Sequence, residues 1–178
     1  MNPNNFFEFY DLPLSFKVDQ SGLKKKFYEF SKKYHPDFYV NESQEKQDEI
    51  LEISTVNNQA FKILSDPLQR IEYILEIHEL LVEGDKYALP QDFLMEMMDV
   101  NEALMDMEFD PDPSRLMGIT SEVDQLEATL FDELKLLTDE FDAKTNPDPA
   151  GVLVKIKDIW YRQKYLMRIR TSMDGIRN

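Results

Sequence analysis

The order of apolar and polar residues along the chain predicts a protein built almost entirely of helices. Apolar side chains recur at intervals of three and four residues, which places them on one face of an α-helix. In the segment that begins at Asp19 and ends before Pro36, these positions are Leu23, Phe27, Phe30 and Tyr34. Asp19 is a favourable N-cap, and a proline disfavours helical geometry in the residue before it. This pattern predicts one amphipathic helix between the two residues.

Three further elements are expected in the first half of the chain. A short apolar segment over residues 6–12 is closed by Pro13. A long helix is predicted over residues 43–64, with Ser43 as its cap. Asp66 and Pro67 then start another helix, because aspartate is a favourable N-cap and proline fits the first helical position.

The second half predicts three long helices, over residues 90–107, 113–143 and 149–173. Two segments that alternate Pro with Asp or Asn, residues 110–113 and 146–149, separate them. Long amphipathic helices joined by short breaks are typical of an antiparallel bundle. We therefore expect an all-α, L-shaped protein with one domain over residues 1–77, a linker over 78–89 and a three-helix bundle over 90–178.

Composition excludes several classes of chemistry. The chain has no cysteine, so it forms no disulfide and offers no thiol nucleophile or cysteine ligand for zinc or an iron–sulfur cluster. No apolar run approaches the ~20 residues of a membrane span, and the N-terminus lacks the features of a signal peptide. We expect a cytoplasmic protein without a resident metal or cofactor.

The net charge is −15, and the positive charges are concentrated in two places. Residues 17–36 contain six lysines and two acidic residues, and residues 151–178 contain seven basic and two acidic residues. Residues 37–150 contain seven basic and 29 acidic residues. This overall acidity disfavours nucleic acid and anionic membranes as partners. The lysines before Pro36 instead predict a local surface that attracts one acidic protein.

The tripeptide His35-Pro36-Asp37 is the most informative local motif. It lies in the predicted turn between two amphipathic helices, directly after the lysine-rich one. Pro36 stiffens this turn, so His35 and Asp37 are expected to lie on a rigid exposed loop that is suited to recognition. The alternative is a local structural role, in which Asp37 caps the next segment and His35 packs against its neighbours.

Four segments in the first half resemble the J-domain family: residues 9–13 (FYDLP), 34–37 (YHPD), 56–61 (VNNQAF) and 64–67 (LSDP). The resemblance covers about residues 4–77. It implies a domain that docks on the ATPase domain of a heat-shock-70-class chaperone, with His35, Pro36 and Asp37 as the trigger of ATP hydrolysis. By the same resemblance, the helix before the turn contacts an acidic chaperone surface through Lys24, Lys25, Lys32 and Lys33.

The segment Phe93–Leu104 resembles the HscB family, the J-type co-chaperones of iron–sulfur cluster assembly. This resemblance implies a chaperone partner of the HscA or DnaK type and a scaffold protein of the IscU type. It also implies a scaffold-binding apolar patch with carboxylates around it, formed by Leu94, Met95, Met98, Asp99, Glu102, Asp106 and Tyr165. The N-terminal cysteine modules of the eukaryotic relatives are absent, so we expect the bacterial type.

Other interpretations of the sequence stay open. Leucine and methionine at helical spacing are most often core residues, so the α-helical stripe at 94–98 fits a bundle interior as well as a surface. The bundle of a J-domain protein could bind a different client of a general chaperone. A helical hydrolase with paired carboxylates and a structural adaptor are two further alternatives. We expect a monomer or a weak oligomer and no enzymatic activity.

Overall fold

The computed structural model describes residues 5–81, 87–144 and 146–177. The chain forms two compact units, Met1–Leu81 and Val82–Asn178. Every regular element in the described ranges is a helix, which confirms the all-α fold. Of the expected linker at 78–89, residues 82–86 lie outside the described part of the chain.

The N-terminal unit contains α1 (Phe6–Phe9), α2 (Gln20–Lys33), a 3₁₀ helix (Pro36–Tyr39), α3 (Gln44–Ser65) and α4 (Pro67–Ile77). The predicted N-caps of α2, α3 and α4 are confirmed. The Asp19 carboxylate accepts from the backbone N–H of Gly22 at 3.1 Å, and the Asp66 carboxylate accepts from the N–H of Gln69 at 2.8 Å. Ser43 caps α3 through its hydroxyl. The 3₁₀ helix is a single short turn that the apolar pattern did not predict.

Helices α2 and α3 pack together around a buried asparagine. Asn57 of α3 is 2% exposed. Its amide Nδ2 donates to the Phe27 carbonyl at 3.2 Å and to the Ser31 hydroxyl at 3.0 Å, both in α2. The Tyr10 hydroxyl lies 2.7 Å from Asn57 Oδ1 and 2.9 Å from the Asn57 carbonyl oxygen, and donates its proton to these acceptors. One side chain therefore links α3 to both of its neighbours, and the buried amide is fully satisfied.

Tyr10→Phe is expected to lower the free energy of unfolding by about 1–2 kcal/mol, because it leaves buried acceptors of Asn57 without their donor. Burial also raises the pKa of the Tyr10 phenol, because the charged phenolate would lose its hydration at this position. Urea unfolding followed by circular dichroism measures the change. Tyr28→Phe is the matched control, since Tyr28 is exposed. Equal stability of the two variants would contradict the role given to this hydrogen bond.

The C-terminal unit contains α5 (Gln91–Phe109), α6 (Pro113–Ala143) and α7 (Pro149–Arg177). These helices confirm the three predicted ones, although α7 continues four residues beyond the expected end. Their buried side chains share one core and include Phe93, Met97, Leu104, Val123, Leu130, Leu134, Ile156, Ile159, Leu166 and Ile169.

A charged cluster joins α6 to α7 near the C-terminal end of α7. Arg170 forms a bidentate salt bridge with Glu127, with Nε–Oε1 at 3.1 Å and Nη2–Oε2 at 2.8 Å. The same guanidinium donates to Asp124. Hydrogen bonds to these two carboxylates raise the pKa of Arg170. The pairing fixes the late part of α7 beside the early part of α6, as expected for antiparallel neighbours.

Candidate interaction surfaces

The turn between α2 and α3 presents His35 and Asp37 to solvent. The His35 side chain is 51% exposed and that of Asp37 is 82% exposed. His35 is the N-cap of the 3₁₀ helix, and its ring Nδ1 accepts from the Asp37 backbone N–H at 3.3 Å. In neutral imidazole this leaves the ring proton on Nε2. The Asp37 carboxylate lies 3.7 Å from His35 Nδ1, beyond hydrogen-bonding distance.

Neighbouring side chains hold the backbone of this turn. The Tyr39 hydroxyl donates to the Lys33 carbonyl at 2.9 Å, which ties the 3₁₀ helix to the end of α2. Gln47 of α3 donates through Nε2 to the carbonyls of Val40 at 3.2 Å and Glu42 at 2.9 Å. The loop is therefore fixed from both of its flanking helices. The Asp37 carboxylate does not supply these bonds, and His35 uses only its Nδ1 to cap the 3₁₀ helix, so the carboxylate and His35 Nε2 stay available to a partner.

The predicted lysines of α2 lie at the surface and share it with one aromatic ring. The four exposed lysines are Lys24, Lys25, Lys32 and Lys33. Tyr28 is 59% exposed and stands four residues from both Lys24 and Lys32, on the same side of the helix. Lys33 instead lies over the Tyr34 ring at 4.9 Å, and a hydrogen bond to Tyr34 raises its pKa. Lys26 is turned inward and donates to the Tyr10 carbonyl.

Helix α5 carries a second apolar surface that does not belong to the core. Leu94 is 37% exposed, Met95 56% and Met98 68%. The core of the bundle uses a different stripe of the same helix, formed by Phe93, Met97, Val100, Leu104 and Met107. Since both stripes are apolar, α5 has one face toward the bundle and one apolar face toward solvent. We call this second face the α5 surface.

Carboxylates border the α5 surface. Asp99, Glu102 and Asp106 are all exposed and follow one another at three- and four-residue intervals. Asp106 already has a partner in the chain, since its Oδ2 accepts from Arg115 Nη1 at 3.3 Å and Nη2 at 3.4 Å. Asp99 and Glu102 are therefore the more accessible acidic groups of this border.

Tyr165 of α7 stands beside α5 and is half-buried. Its hydroxyl accepts from Asn101 Nδ2 at 3.1 Å, and its ring meets the Phe93 ring edge-on, with 5.8 Å between centroids. The Arg168 guanidinium lies 4.9 Å from the centre of the Tyr165 ring. The contact with Asn101 brings Tyr165 next to the α5 surface, although these two residues are 64 positions apart in sequence.

Comparison with known families and structures identifies both units. Residues 8–73 match the DnaJ domain, and residues 89–174 match the domain described as HSCB C-terminal oligomerisation domain. The chain belongs to the HscB family. It is an HscB-type J-domain co-chaperone, of a family associated with iron–sulfur cluster assembly.

Two solved HscB structures resemble the chain over almost its whole length. The crystal structure of human co-chaperone protein HscB is 26% identical, with a TM-score of 0.76, and the match covers 98% of this chain and 83% of the human one. The chaperone HscB from Vibrio cholerae is also 26% identical, with a TM-score of 0.62, and the match covers 95% of this chain and 99% of that one.

For this HscB-family chain, the structure adds two apolar residues to the predicted α5 surface. Met105 is 63% exposed and Phe109 is 88% exposed. They stand 11 and 15 residues after Leu94, so the 100° rotation per residue returns both to the face of Leu94 and Met98. The signal for them was the continuation of this spacing beyond Leu104. The sequence-based prediction omitted them because its apolar α5 residues were all taken from the segment Phe93–Leu104, which ends before both.

Two features are absent from the described residues, a cluster of metal-ligating side chains and a membrane-spanning helix. Among residues 5–81, 87–144 and 146–177, no group of three or more His, Cys, Asp or Glu side chains is arranged to hold a metal ion. No helix within these ranges is long and apolar enough to cross a membrane.

Proposed function

We propose that the chain stimulates ATP hydrolysis by a heat-shock-70-class chaperone of the HscA or DnaK type and delivers to it an iron–sulfur scaffold protein of the IscU type. The N-terminal unit contacts the chaperone through His35, Pro36 and Asp37 and through the α2 lysines. The α5 surface, with Tyr165 beside it, binds the scaffold. The chemical step belongs to the chaperone, so this chain acts by binding alone.

The geometry of the turn supports the first half of this proposal. The backbone around Pro36 is fixed by Tyr39 and Gln47, while the Asp37 carboxylate and the His35 ring remain exposed. A rigid exposed carboxylate is a strong acceptor for an arginine or for backbone N–H groups of a partner. Because little conformational entropy is lost when a preformed turn docks, its contacts contribute fully to binding.

The exposure of the α5 surface is the single observation on which the second half depends. Leucine and methionine side chains on a bundle helix would normally fill its core, but here the core has its own stripe. An apolar face bordered by carboxylates fits a partner with an apolar patch and basic residues around it. Methionine side chains suit such a site because they adapt to the partner's shape.

The test is ATP hydrolysis by purified heat-shock-70-class chaperones of the same organism, with increasing amounts of this chain. A saturable stimulation of at least one of them supports the chaperone half of the proposal. Binding of the purified scaffold, measured by calorimetry, tests the other half separately. Stimulation without scaffold binding would favour a J-domain protein with a different client, whereas no stimulation of any such chaperone would refute the proposal.

Charge reversal at two lysines of α2 is expected to slow association with the chaperone by about tenfold at low salt, because the positive face of α2 steers the encounter. The variant combines Lys24→Glu with Lys32→Glu. Stopped-flow fluorescence measures the rate. The difference should shrink as salt rises, since screening removes long-range attraction. The control is Lys62→Glu on α3 with Lys135→Glu on α6, two exposed lysines outside α2, which changes the net charge equally. Equal slowing by both pairs would contradict steering by α2.

A further inference from the structure

A cavity of about 550 Å³ lies against α7, and none of the residues assigned above to chaperone or scaffold binding lines it. Its walls come from α7 and from the segment that leads into α5. Tyr87 and Leu89 form the wall on the side of this segment, and Tyr161, Lys164 and Arg168 belong to the α7 wall. Its volume is within the range of ligand-binding clefts, roughly 300–1,000 Å³.

One end of the cavity is a rigid aromatic stack. The rings of Tyr87 and Tyr161 lie parallel, with an interplanar angle of 3° and 4.3 Å between centroids. The Tyr87 hydroxyl donates to the Asp158 carboxylate at 2.6 Å, and Asp158 is also paired with Arg162. Burial and this hydrogen bond raise the pKa of Tyr87 to about 12. The stack is therefore fixed in place before any ligand arrives.

The remaining α7 wall is cationic and runs along the helix. The wall residues Tyr161, Lys164, Arg168 and Thr171 are separated by three, four and three residues, so they form one line on the helix surface. Lys157, four residues before Tyr161, extends this line beyond the cavity. The Lys164 ammonium lies 4.2 Å from the centre of the Trp160 ring, and Lys157 lies 5.5 Å from that of Tyr87. Aromatic rings thus hold these cations in position beside the cavity.

We propose that this cavity binds an acidic peptide segment of a partner protein. Carboxylates of the segment pair with Lys164 and Arg168 on the α7 wall, and an apolar side chain on its other face packs against Leu89 on the opposite wall. Tyr165 does not line this cavity, although Arg168 contacts its ring, and the proposal does not depend on the identity of the scaffold.

Charge and shape favour an acidic peptide over other occupants. Two of the seven basic residues of α7, Arg162 and Arg170, are paired with carboxylates. Lys157, Lys164 and Arg168 form the cationic line, which attracts negative charge locally in a chain of net charge −15. From Tyr161 to Thr171 the wall extends for about 15 Å, at 1.5 Å per helical residue. An extended peptide covers that distance in about five residues and directs alternate side chains to one face, about 6.6 Å apart. Lys164 and Arg168 are separated along the axis by about the same length, 6 Å.

The test uses the full chain and a fluorescein-labelled heptapeptide that alternates glutamate with leucine or phenylalanine, four glutamates in all. Fluorescence anisotropy measures its affinity at low salt. The emission of Trp160, the single tryptophan of the chain, reports binding next to Lys164. We expect saturable binding, a change in Trp160 emission, and an affinity at least about tenfold higher than that of the same peptide with glutamine in place of glutamate.

Lys164→Glu and Arg168→Glu should each reduce this affinity by about tenfold or more. The matched control is Lys155→Glu, an exposed lysine on another side of the same helix, which should leave the affinity nearly unchanged. Absence of saturable binding would overturn the proposal. So would equal weakening by Lys155→Glu, or complete competition by inorganic phosphate at equal charge concentration, which would make the cavity a site for small anions only.

Discussion

Asp37→Asn is expected to remove nearly all stimulation of the chaperone's ATPase while leaving the chain folded. The substitution keeps the shape of the side chain but removes its negative charge, and hydrogen bonds to charged groups contribute about 1.5–3 kcal/mol each. Loss of one such bond in the activated complex corresponds to roughly a 10- to 100-fold lower rate constant. Single-turnover hydrolysis at saturating variant measures this effect without the influence of binding.

The variant should fold normally, because the Asp37 side chain does not hold the turn. Its contact within the chain is the 3.7 Å approach to His35 Nδ1, whereas Tyr39 and Gln47 fix the backbone. Asp48→Asn on α3 is the matched control, an exposed carboxylate of the same unit that should stimulate like the unaltered chain. Undiminished stimulation by the Asp37 variant would refute the assignment of the trigger.

Leu94→Ala combined with Met98→Ala is expected to weaken scaffold binding by about 30- to 900-fold, since truncated side chains at the centre of an interface cost roughly 1–2 kcal/mol each. The same variant should leave chaperone stimulation in the absence of scaffold unchanged, because the two side chains lie in the other compact unit. Calorimetric titration with the purified scaffold gives the affinity.

The matched control for this pair is Leu136→Ala with Met117→Ala on α6. Met117 is 68% exposed, the same fraction as Met98, and Leu136 is also exposed. Neither lies on α5, so their truncation should leave the affinity intact. If both double variants weakened scaffold binding equally, the loss would reflect fewer exposed apolar side chains in general. That result would contradict the assignment of scaffold binding to the α5 surface.

Much of the fold could be predicted from local chemistry. Asp19, Ser43 and Asp66 cap helices where side-chain preferences place caps, and the Pro-rich breaks end α5 and α6 as expected. The 3₁₀ helix Pro36–Tyr39 could not be predicted from apolar periodicity, because four residues are too few to show a period. It depends on contacts with Lys33 and α3, which only the folded chain supplies.

On α5, the spacing of apolar residues does not predict which face of the helix is buried. Its stripe at Leu94 and Met98 and the core stripe at Phe93 and Met97 are both apolar, so spacing alone could not tell which one faces the bundle. Packing against α7 decides this, since Phe93 meets Tyr165 and the Leu94 stripe stays exposed. Likewise, the pairing of Asp106 with Arg115 depends on the path of the α5–α6 turn.

In the proposed function, one chain couples a chaperone-triggering turn to a scaffold-binding surface. The most direct measurement is single-turnover ATP hydrolysis by the chaperone, with this chain present, in the absence and presence of the IscU-type scaffold. We predict stimulation by the chain alone and a rate that rises further, beyond the sum of the separate effects, when scaffold is added. A hydrolysis rate that does not change when scaffold is added, at concentrations that saturate its binding, would contradict this coupling.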